Sequence, residues 1–174
     1  RDVDQVDSIN KENINKKYFP DKKLRKNVRA TSNLESVFSN KYIINAIPTQ
    51  NIRQVYSGLD KNILHKKVLI NLSKGIELES NYRISEIFES IFGEISYVVL
   101  SGPSHAEEVI NEMPTTIVCA SNNINLSKDV QKIFNRDYFR VYTSTDVVGV
   151  EIGGSIKNIL ALGIGMADGL GYGD

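Results

Sequence analysis

Several residue types are scarce in this chain, and each scarcity excludes a class of protein. Cys119 is the single cysteine among 174 residues, which excludes an intrachain disulfide framework and any zinc site built from several cysteines. The two histidines, His65 and His105, lie far apart, so a short histidine-based metal motif is absent as well. The 21 basic and 21 acidic side chains cancel. Such a neutral chain lacks the net charge that draws a protein to nucleic acid or an acidic membrane, so neither is an expected partner.

Long apolar runs are also missing. Every stretch between charged side chains is shorter than the roughly 20 residues that a membrane-spanning helix needs. With 41% hydrophobic and 24% charged residues, the composition is that of a globular protein. We therefore expect a cytoplasmic protein with no membrane span and no bound metal. The sequence opens on Arg1 without a methionine and closes directly after an apolar helical stretch, so we expect it to be a piece of a longer protein.

Short apolar segments alternate with segments of helical periodicity, which is typical of an α/β protein. Because the apolar segments are too short and too uniformly hydrophobic for surface strands, they predict a parallel, doubly wound sheet covered on both faces. Before them, the spacing of Val3, Val6 and Ile9 predicts a helix, the polar stretch through Pro20 a loop, and residues 32–38 a short helix. The predicted strands are residues 42–47, 67–72, 97–100, 115–120 and 139–142, and the predicted helices are residues 52–59, 84–91, 104–111 and 130–134.

The composition changes after Thr145. Eight of the twelve glycines lie in the last 26 residues, interleaved with valine, isoleucine and leucine. Each glycine in a helix costs about 1 kcal/mol relative to alanine, so a glycine-rich apolar helix indicates close packing of its backbone against another helix or a ligand. We place a domain boundary near Asp146.

Three predicted strands end in residues that could serve a ligand, because open α/β sheets bind ligands beyond the carboxyl ends of their strands. Pro48 ends the first strand, and the turn there either contacts a ligand or is a plain strand-to-helix turn. Lys74 follows the second strand; its ammonium group suits a carbonyl oxygen or a phosphate, although surface lysines are common. Ser104 and Glu107 have the spacing of a capping box at the start of a helix. The free N–H groups there could bind an anion, or the two residues could serve only to cap the helix.

The glycine-rich helix carries Lys157 one turn after Gly153 and Gly154, which clear its helix face of side chains. A lysine in such a helix either extends to solvent or is functional. If it is buried, desolvation lowers its pKa, and a second cation such as Lys74 lowers it further. Lys157 would then be a general acid/base for a carbonyl/alcohol interconversion. Asn158 follows it directly.

Two other features are interpreted as structural. Residues 16–29 hold seven basic side chains against one acid, and we interpret them as a solvated loop, because aromatic side chains are limited to Tyr18 and Phe19. Cys119 lies within a predicted buried strand and is interpreted as an inert core thiol.

In this order and spacing the segments resemble the NAD(P)-dependent glycerol-3-phosphate dehydrogenases, particularly the bacterial type. The resemblance runs through essentially the whole chain, and its motifs are weak singly and specific together. The carrying motifs are Lys-Lys-Tyr-Phe-Pro at 16–20, Ala-Ile-Pro-Thr at 46–49, Ser-Lys-Gly-Ile-Glu at 73–77, Leu-Ser-Gly-Pro-Ser at 100–104, Phe-Arg-Val-Tyr at 139–142, Gly-Val-Glu-Ile-Gly-Gly-Ser-Ile-Lys-Asn at 149–158 and Ala-Asp-Gly-Leu-Gly-Tyr-Gly-Asp at 167–174.

The resemblance implies hydride transfer between NAD(P)H and dihydroxyacetone phosphate, giving sn-glycerol 3-phosphate for glycerophospholipid synthesis. It implies an incomplete Rossmann-like dinucleotide-binding domain over residues 1–145, the first helix of an all-α substrate domain over residues 146–174, NAD or NADP as cofactor, a small phosphorylated substrate and a homodimer. The implied catalytic residues are Lys157 and Lys74, the implied substrate-binding residues Lys74, Gly102, Ser104, Lys157 and Asn158, and the implied cofactor-binding residues Arg1, Tyr18, Pro48, Lys74 and Ala106.

Two parts of the family pattern are missing from these 174 residues. The glycine-rich dinucleotide fingerprint is expected before Arg1, and the Arg-Asn pair for the substrate phosphate is expected after Asp174. We therefore expect this stretch alone to be inactive. Two alternatives stay open: a related 3-hydroxyacid dehydrogenase or ketopantoate reductase, which a substrate panel would separate, and a non-catalytic nucleotide-binding module whose glycine-rich helix is a dimer interface.

Overall fold

The computed structural model describes residues 3–172 and divides the chain into two compact units, residues 1–40 and 41–174. The first unit holds helix α1 (Val3–Glu12), an antiparallel hairpin of β1 (Ile14–Asn15) and β2 (Phe19–Lys23), and a 3₁₀ helix (Glu35–Ser39). The prediction of a loop through Pro20 was wrong, because Pro20 lies within β2. A two-stranded ribbon tolerates a residue without an N–H donor, and its polar strands carry no alternation that could have predicted it.

The second unit is built on a five-stranded sheet whose strands lie side by side in chain order: β3 (Tyr42–Asn45), β4 (Val68–Asn71), β5 (Ser96–Ser101), β6 (Thr115–Ala120) and β7 (Phe139–Ser144). Neighbouring strands run parallel except β5 and β6, which are antiparallel. The predicted positions of all five strands are confirmed, but the expectation of an all-parallel sheet was wrong at this pair. Strands buried on both faces have the same apolar pattern in either direction, so the sequence does not reveal the reversal.

Helices cover both faces of this sheet, as predicted. On one face, α5 (Ile124–Phe134) places Val130 against the side chains of Val98, Leu100 and Cys119. On the other, Val147 at the start of α6 (Val147–Gly169) packs with Val99 and Ala120. The pKa of the Cys119 thiol is raised to about 12 by burial, which agrees with an inert core thiol. The remaining helices are α2 (Thr49–Tyr56), α3 (Ile84–Phe92) and α4 (Ala106–Ile110).

Helix α6 (Val147–Gly169) is the longest element, with 23 residues. The Asp146 side chain caps it by accepting a hydrogen bond from the Gly149 N–H at 2.7 Å. Within residues 3–172 it is the one helix long and apolar enough to cross a membrane by length and composition, and 11% of that apolar window is buried. Its first turns lie on β5 and β6. Its later turns expose the large apolar side chains of Ile159, Leu160, Leu162, Ile164 and Met166.

Candidate functional site

A buried amide pair joins the carboxyl ends of β3 and β4. Asn45 and Asn71 are opposite each other in register and are fully buried, and the Asn45 Nδ2 donates to the Asn71 Oδ1 at 2.8 Å. The Tyr56 hydroxyl donates to the Asn45 Oδ1 at 3.1 Å, and the Asn71 Nδ2 donates to the Ser73 carbonyl at 3.0 Å. Satisfied polar networks of this kind rigidify a structure. The sequence analysis missed the pair, although an asparagine at the end of two successive apolar strands was the available signal.

This network supports the turn that carries Lys74. The Ser73 hydroxyl donates to the Ile47 carbonyl at 2.6 Å, and the Thr49 hydroxyl donates to the Lys74 carbonyl at 2.8 Å. The turn that begins at Pro48 is thus joined directly to the turn after β4. Gly75 has a φ of +133°, and a Cβ there would lie 2.9 Å from the Thr49 Oγ1, so this position requires glycine.

The Lys74 side chain reaches the loop after β5. Its Nζ donates to the Gly102 carbonyl at 3.0 Å. A Cβ on Gly102 would lie 2.9 Å from the Ile117 Cα and from the Thr116 carbonyl oxygen, so only glycine lets this loop cross β6. The loop therefore presents its carbonyl to Lys74 at a fixed place.

The helix after this loop begins later than predicted. The capping box at Ser104 and Glu107 was wrong: α4 starts at Ala106, and His105 precedes it without a side-chain capping bond. His105 has an extended backbone (φ −80°, ψ 137°), so Ser104 and His105 lie outside the first helical turn. Ser104 is half-buried and Ala106 is exposed.

Helix α6 approaches Lys74 through one of its two adjacent glycines. A Cβ on Gly154 would lie 2.7 Å from the Ser101 Oγ and 3.4 Å from the Lys74 Cγ. A Cβ on Gly153 would meet nothing within 4 Å, so only Gly154 clears space for the strand-end residues. The next residue, Ser155, accepts a hydrogen bond from the Gly75 N–H at 3.2 Å. The glycine-rich helix therefore packs directly against the turn that carries Lys74.

Lys157 and Lys74 form a pair of neighbouring cations. The pKa of Lys74 is lowered by burial and, secondarily, by the positive charge of Lys157. Lys157 is half-buried, whereas Asn158 is exposed. Two ammonium groups from different elements at the carboxyl ends of strands provide proton donors and positive charge for a carbonyl oxygen or an anion. Among residues 3–172 no cluster of three or more histidine, cysteine or acidic side chains is placed to hold a metal ion.

The structure brings part of the predicted site together. Lys74 contacts Gly102, and its turn is bonded to Thr49, which follows Pro48. Lys157 is near enough for its charge to lower the pKa of Lys74. Ser104 and Ala106 lie in and after the loop of Gly102. Of the two cofactor residues predicted in the first unit, Tyr18 is 63% exposed in the β1–β2 turn, and Arg1 lies outside the described residues.

The charge of Lys157 gives the first testable prediction. Replacing Lys157 with methionine should raise the pKa of Lys74, because burial then acts on it without the neighbouring charge. NMR titration of the Lys74 ammonium group in the full-length protein measures this. Lys157→Arg is the matched control, since it keeps a positive charge and should leave the pKa of Lys74 lowered. An equal pKa in both variants would contradict the pairing.

Open α/β sheets of this kind bind ligands beyond the carboxyl ends of their strands, where the Lys74 turn lies. The chain belongs to the NAD-dependent glycerol-3-phosphate dehydrogenase family: the model of the family's N-terminal region matches residues 1–127, and the model of its C-terminal region matches residues 146–174.

Individual proteins that are similar to this chain belong to the same family. The chain is 45% identical over 175 residues to a glycerol-3-phosphate dehydrogenase [NAD(P)+] of Clostridium botulinum, and it is 45% identical over 179 residues to one of Staphylococcus epidermidis. All of the chain aligns in both cases, with 53% and 54% of the relatives. The crystal structure of the Coxiella burnetii glycerol-3-phosphate dehydrogenase superposes with a TM-score of 0.87 at 31% identity, covering 99% of this chain and 53% of that one. The chain thus spans about half the length of the curated relatives it matches.

Proposed function

We propose that this chain is part of an NAD(P)-dependent glycerol-3-phosphate dehydrogenase, which reduces dihydroxyacetone phosphate reversibly to sn-glycerol 3-phosphate for glycerophospholipid synthesis. The observation that carries the proposal is the convergence of Lys74 and Lys157 where α6 meets the carboxyl ends of the strands. The two relatives at 45% identity, both named glycerol-3-phosphate dehydrogenase [NAD(P)+], support the same reaction.

The residues present fit a nicotinamide dinucleotide and a phosphorylated substrate. Lys74 is a half-buried cation beside the exposed turn at Pro48, at the sheet edge where such ligands bind. Glycine at positions 75 and 102 lets the backbone of the two turns pack closely against Thr49 and β6. When bound, the nicotinamide supplies the hydride that goes to carbon 2 of dihydroxyacetone phosphate.

The chain's own residues then handle the carbonyl oxygen and the proton. Lys157 donates a proton to the oxygen on carbon 2 as the hydride arrives, and takes it back in the reverse direction. Lys74 holds the same oxygen with its ammonium group and contacts the cofactor. The other assignments are substrate contacts from Gly102, Ser104 and Asn158, and cofactor contacts from Pro48 and Ala106, with Arg1 and Tyr18 on the adenosine side.

The domain division and the surroundings of α6 belong to the same proposal. Residues 1–145 are the dinucleotide-binding part, and residues 146–174 begin a helical substrate domain, in line with the start of the C-terminal family match at residue 146. The first half of α6 packs against the sheet and the Lys74 turn, so the helix is not free to cross a membrane. We therefore infer that further helices of the substrate domain, rather than lipid, cover the exposed apolar side chains of its second half. The whole protein would then be a cytoplasmic homodimer without a membrane span.

The test is an absorbance assay on the full-length protein. Loss of NADH or NADPH absorbance on addition of dihydroxyacetone phosphate is the expected result. Acetoacetate-type 3-oxoacids and ketopantoate serve as the comparison substrates, because enzymes of related fold use them. A protein that oxidises NAD(P)H only with one of these, or with none, contradicts the proposed reaction. The 174 residues alone should show no turnover.

A further inference from the structure

One buried carboxylate near the site accepts several hydrogen bonds, and the proposed reaction does not use it. Glu151 lies in the second turn of α6, and its side chain is 4% exposed. Its Oε1 accepts hydrogen bonds from the Ser85 N–H at 2.9 Å and from the Tyr97 hydroxyl at 2.7 Å. Its Oε2 accepts from the Arg83 Nη1 at 2.9 Å and from the Ser85 hydroxyl at 2.6 Å. Four donors from two other elements thus hold one carboxylate.

The donors belong to rigid parts of the second unit. Arg83 and Ser85 flank the start of α3, where the Ser85 N–H is one of the unpaired amides of the first turn, and the helix dipole favours a negative charge there. The pKa of Tyr97 is raised by burial and further by Glu151, so its hydroxyl keeps its proton and stays a donor. We name this set, Glu151 with Arg83, Ser85 and Tyr97, the carboxylate clamp.

The clamp fixes the part of α6 that faces the Lys74 turn. Ser155 is one turn further along α6, where its hydroxyl donates to the Glu151 carbonyl at 2.8 Å and accepts from the Gly75 N–H. Gly154 lies between Glu151 and Lys157 in the sequence and packs against Ser101 and Lys74. Because an α-helix turns about 100° per residue as a rigid body, fixing Glu151 fixes the rotation of α6 and with it the direction of Lys157.

We propose that Glu151 is a positioning residue for the reaction: its clamp on α3 and β5 sets the rotation of α6 that holds Lys157 beside Lys74. This inference rests on the proposed function for its kinetic consequences, and on the contacts alone for the geometry. A stabilising ion pair with no bearing on the site is the competing explanation, since breaking any buried pair destabilises a protein.

Two variants separate positioning from stability. Glu151→Gln keeps the shape of the side chain but turns an amide N–H₂ toward donors that need an acceptor. Ser85→Ala removes the hydroxyl and leaves every charge in place. Val130→Ala is the stability control, because it removes buried methyl groups from α5 on the opposite face of the sheet. In the full-length protein we expect Glu151→Gln to lower kcat by roughly 10- to 100-fold, in line with the cost of a misplacement of about 1 Å. Ser85→Ala should lower it less, and Val130→Ala should lower only the thermal unfolding midpoint.

A double-mutant cycle with Lys157→Ala is the decisive measurement. If Glu151 acts through Lys157, Glu151→Gln should cause no further loss of kcat once Lys157 has been replaced. Equal losses in both backgrounds would overturn the proposal, as would a wild-type kcat in Glu151→Gln.

A readout without turnover distinguishes failure of this inference from failure of the proposed function. The pKa of the Lys74 ammonium, followed by NMR, reports its distance from Lys157. We expect the Lys74 pKa to shift in both Ser85→Ala and Glu151→Gln, and because Ser85→Ala alters no charge, its shift reports a movement of α6. An unchanged pKa of Lys74 in both variants would overturn the inference even in an active enzyme. A shifted pKa of Lys74 in a protein that does not reduce dihydroxyacetone phosphate would support the positioning role of Glu151 and contradict only the proposed reaction.

Discussion

Replacing Lys157 with alanine in the full-length protein should lower kcat for dihydroxyacetone phosphate reduction by a factor of roughly 10² to 10⁴, which is the usual contribution of general acid/base catalysis. The physical reason is that the oxygen on carbon 2 develops negative charge as the hydride arrives. Without the Lys157 ammonium that charge has no proton donor on α6. Lys74 remains in place and still provides electrostatic stabilisation, so some activity should persist.

The fold should tolerate this change. Lys157 is half-buried on a long helix, and alanine is the best helix former, so the free energy of unfolding should change little. Lys132→Ala is the matched control, because its side chain is 75% exposed on α5 and makes only a surface ion pair with Asp129. It should keep wild-type kcat. Wild-type activity in Lys157→Ala would show that this lysine is structural and that the proton passes through another group.

The sequence predicted the positions of the sheet strands well because each is a short apolar run bounded by polar turns. Residues 115–120 were predicted as a strand, and β6 spans Thr115–Ala120. The direction of β6 was not predictable, since Ile117 and Cys119 face one covered side whether the strand runs parallel or antiparallel to β5. The start of α4 was misplaced for a different reason. The Ser104–Glu107 spacing fits a capping box, but the extended backbone at His105 leaves Ser104 outside the helix.

The candidate site was predictable where a residue type stands out in its surroundings. Lys74 is a cation just after an apolar strand, and Lys157 is a cation within an apolar helix. In the structure the two are near enough for the charge of Lys157 to lower the pKa of Lys74. The carboxylate clamp was not predictable, because its donor residues lie 54 to 68 residues before Glu151 in the sequence and meet it only through the fold. Nor could the sequence tell which of two adjacent glycines approaches the site, since that depends on the rotation of α6.

The two glycines give a matched pair of substitutions with very different expected outcomes. Gly154→Val should lower kcat/KM by about 10²-fold, the cost of displacing a site by about 1 Å. The new Cβ would lie 2.7 Å from the Oγ of the buried Ser101 and 3.4 Å from the Lys74 Cγ, so either α6 or the Ser101 side chain must move next to Lys74. Gly153→Val places the same side chain in the same helix one residue earlier, where nothing lies within 4 Å. It should keep kcat/KM within about twofold, since no contact of the site changes.

The free energy of unfolding should also be lower in Gly154→Val than in Gly153→Val. Overpacking at residue 154 should reduce the free energy of unfolding by about 1–3 kcal/mol, whereas the variant at residue 153 should unfold at or slightly above the wild-type urea concentration. Because valine has the same helix propensity in both variants, the difference between them isolates the contact of α6 with Ser101 and Lys74. If both variants lost activity equally, α6 would not be seated on the strand ends through Gly154, and the position of Lys157 beside Lys74 would need another cause. If only Gly154→Val lost activity, the backbone approach at this glycine would be what brings the helix lysine to the site.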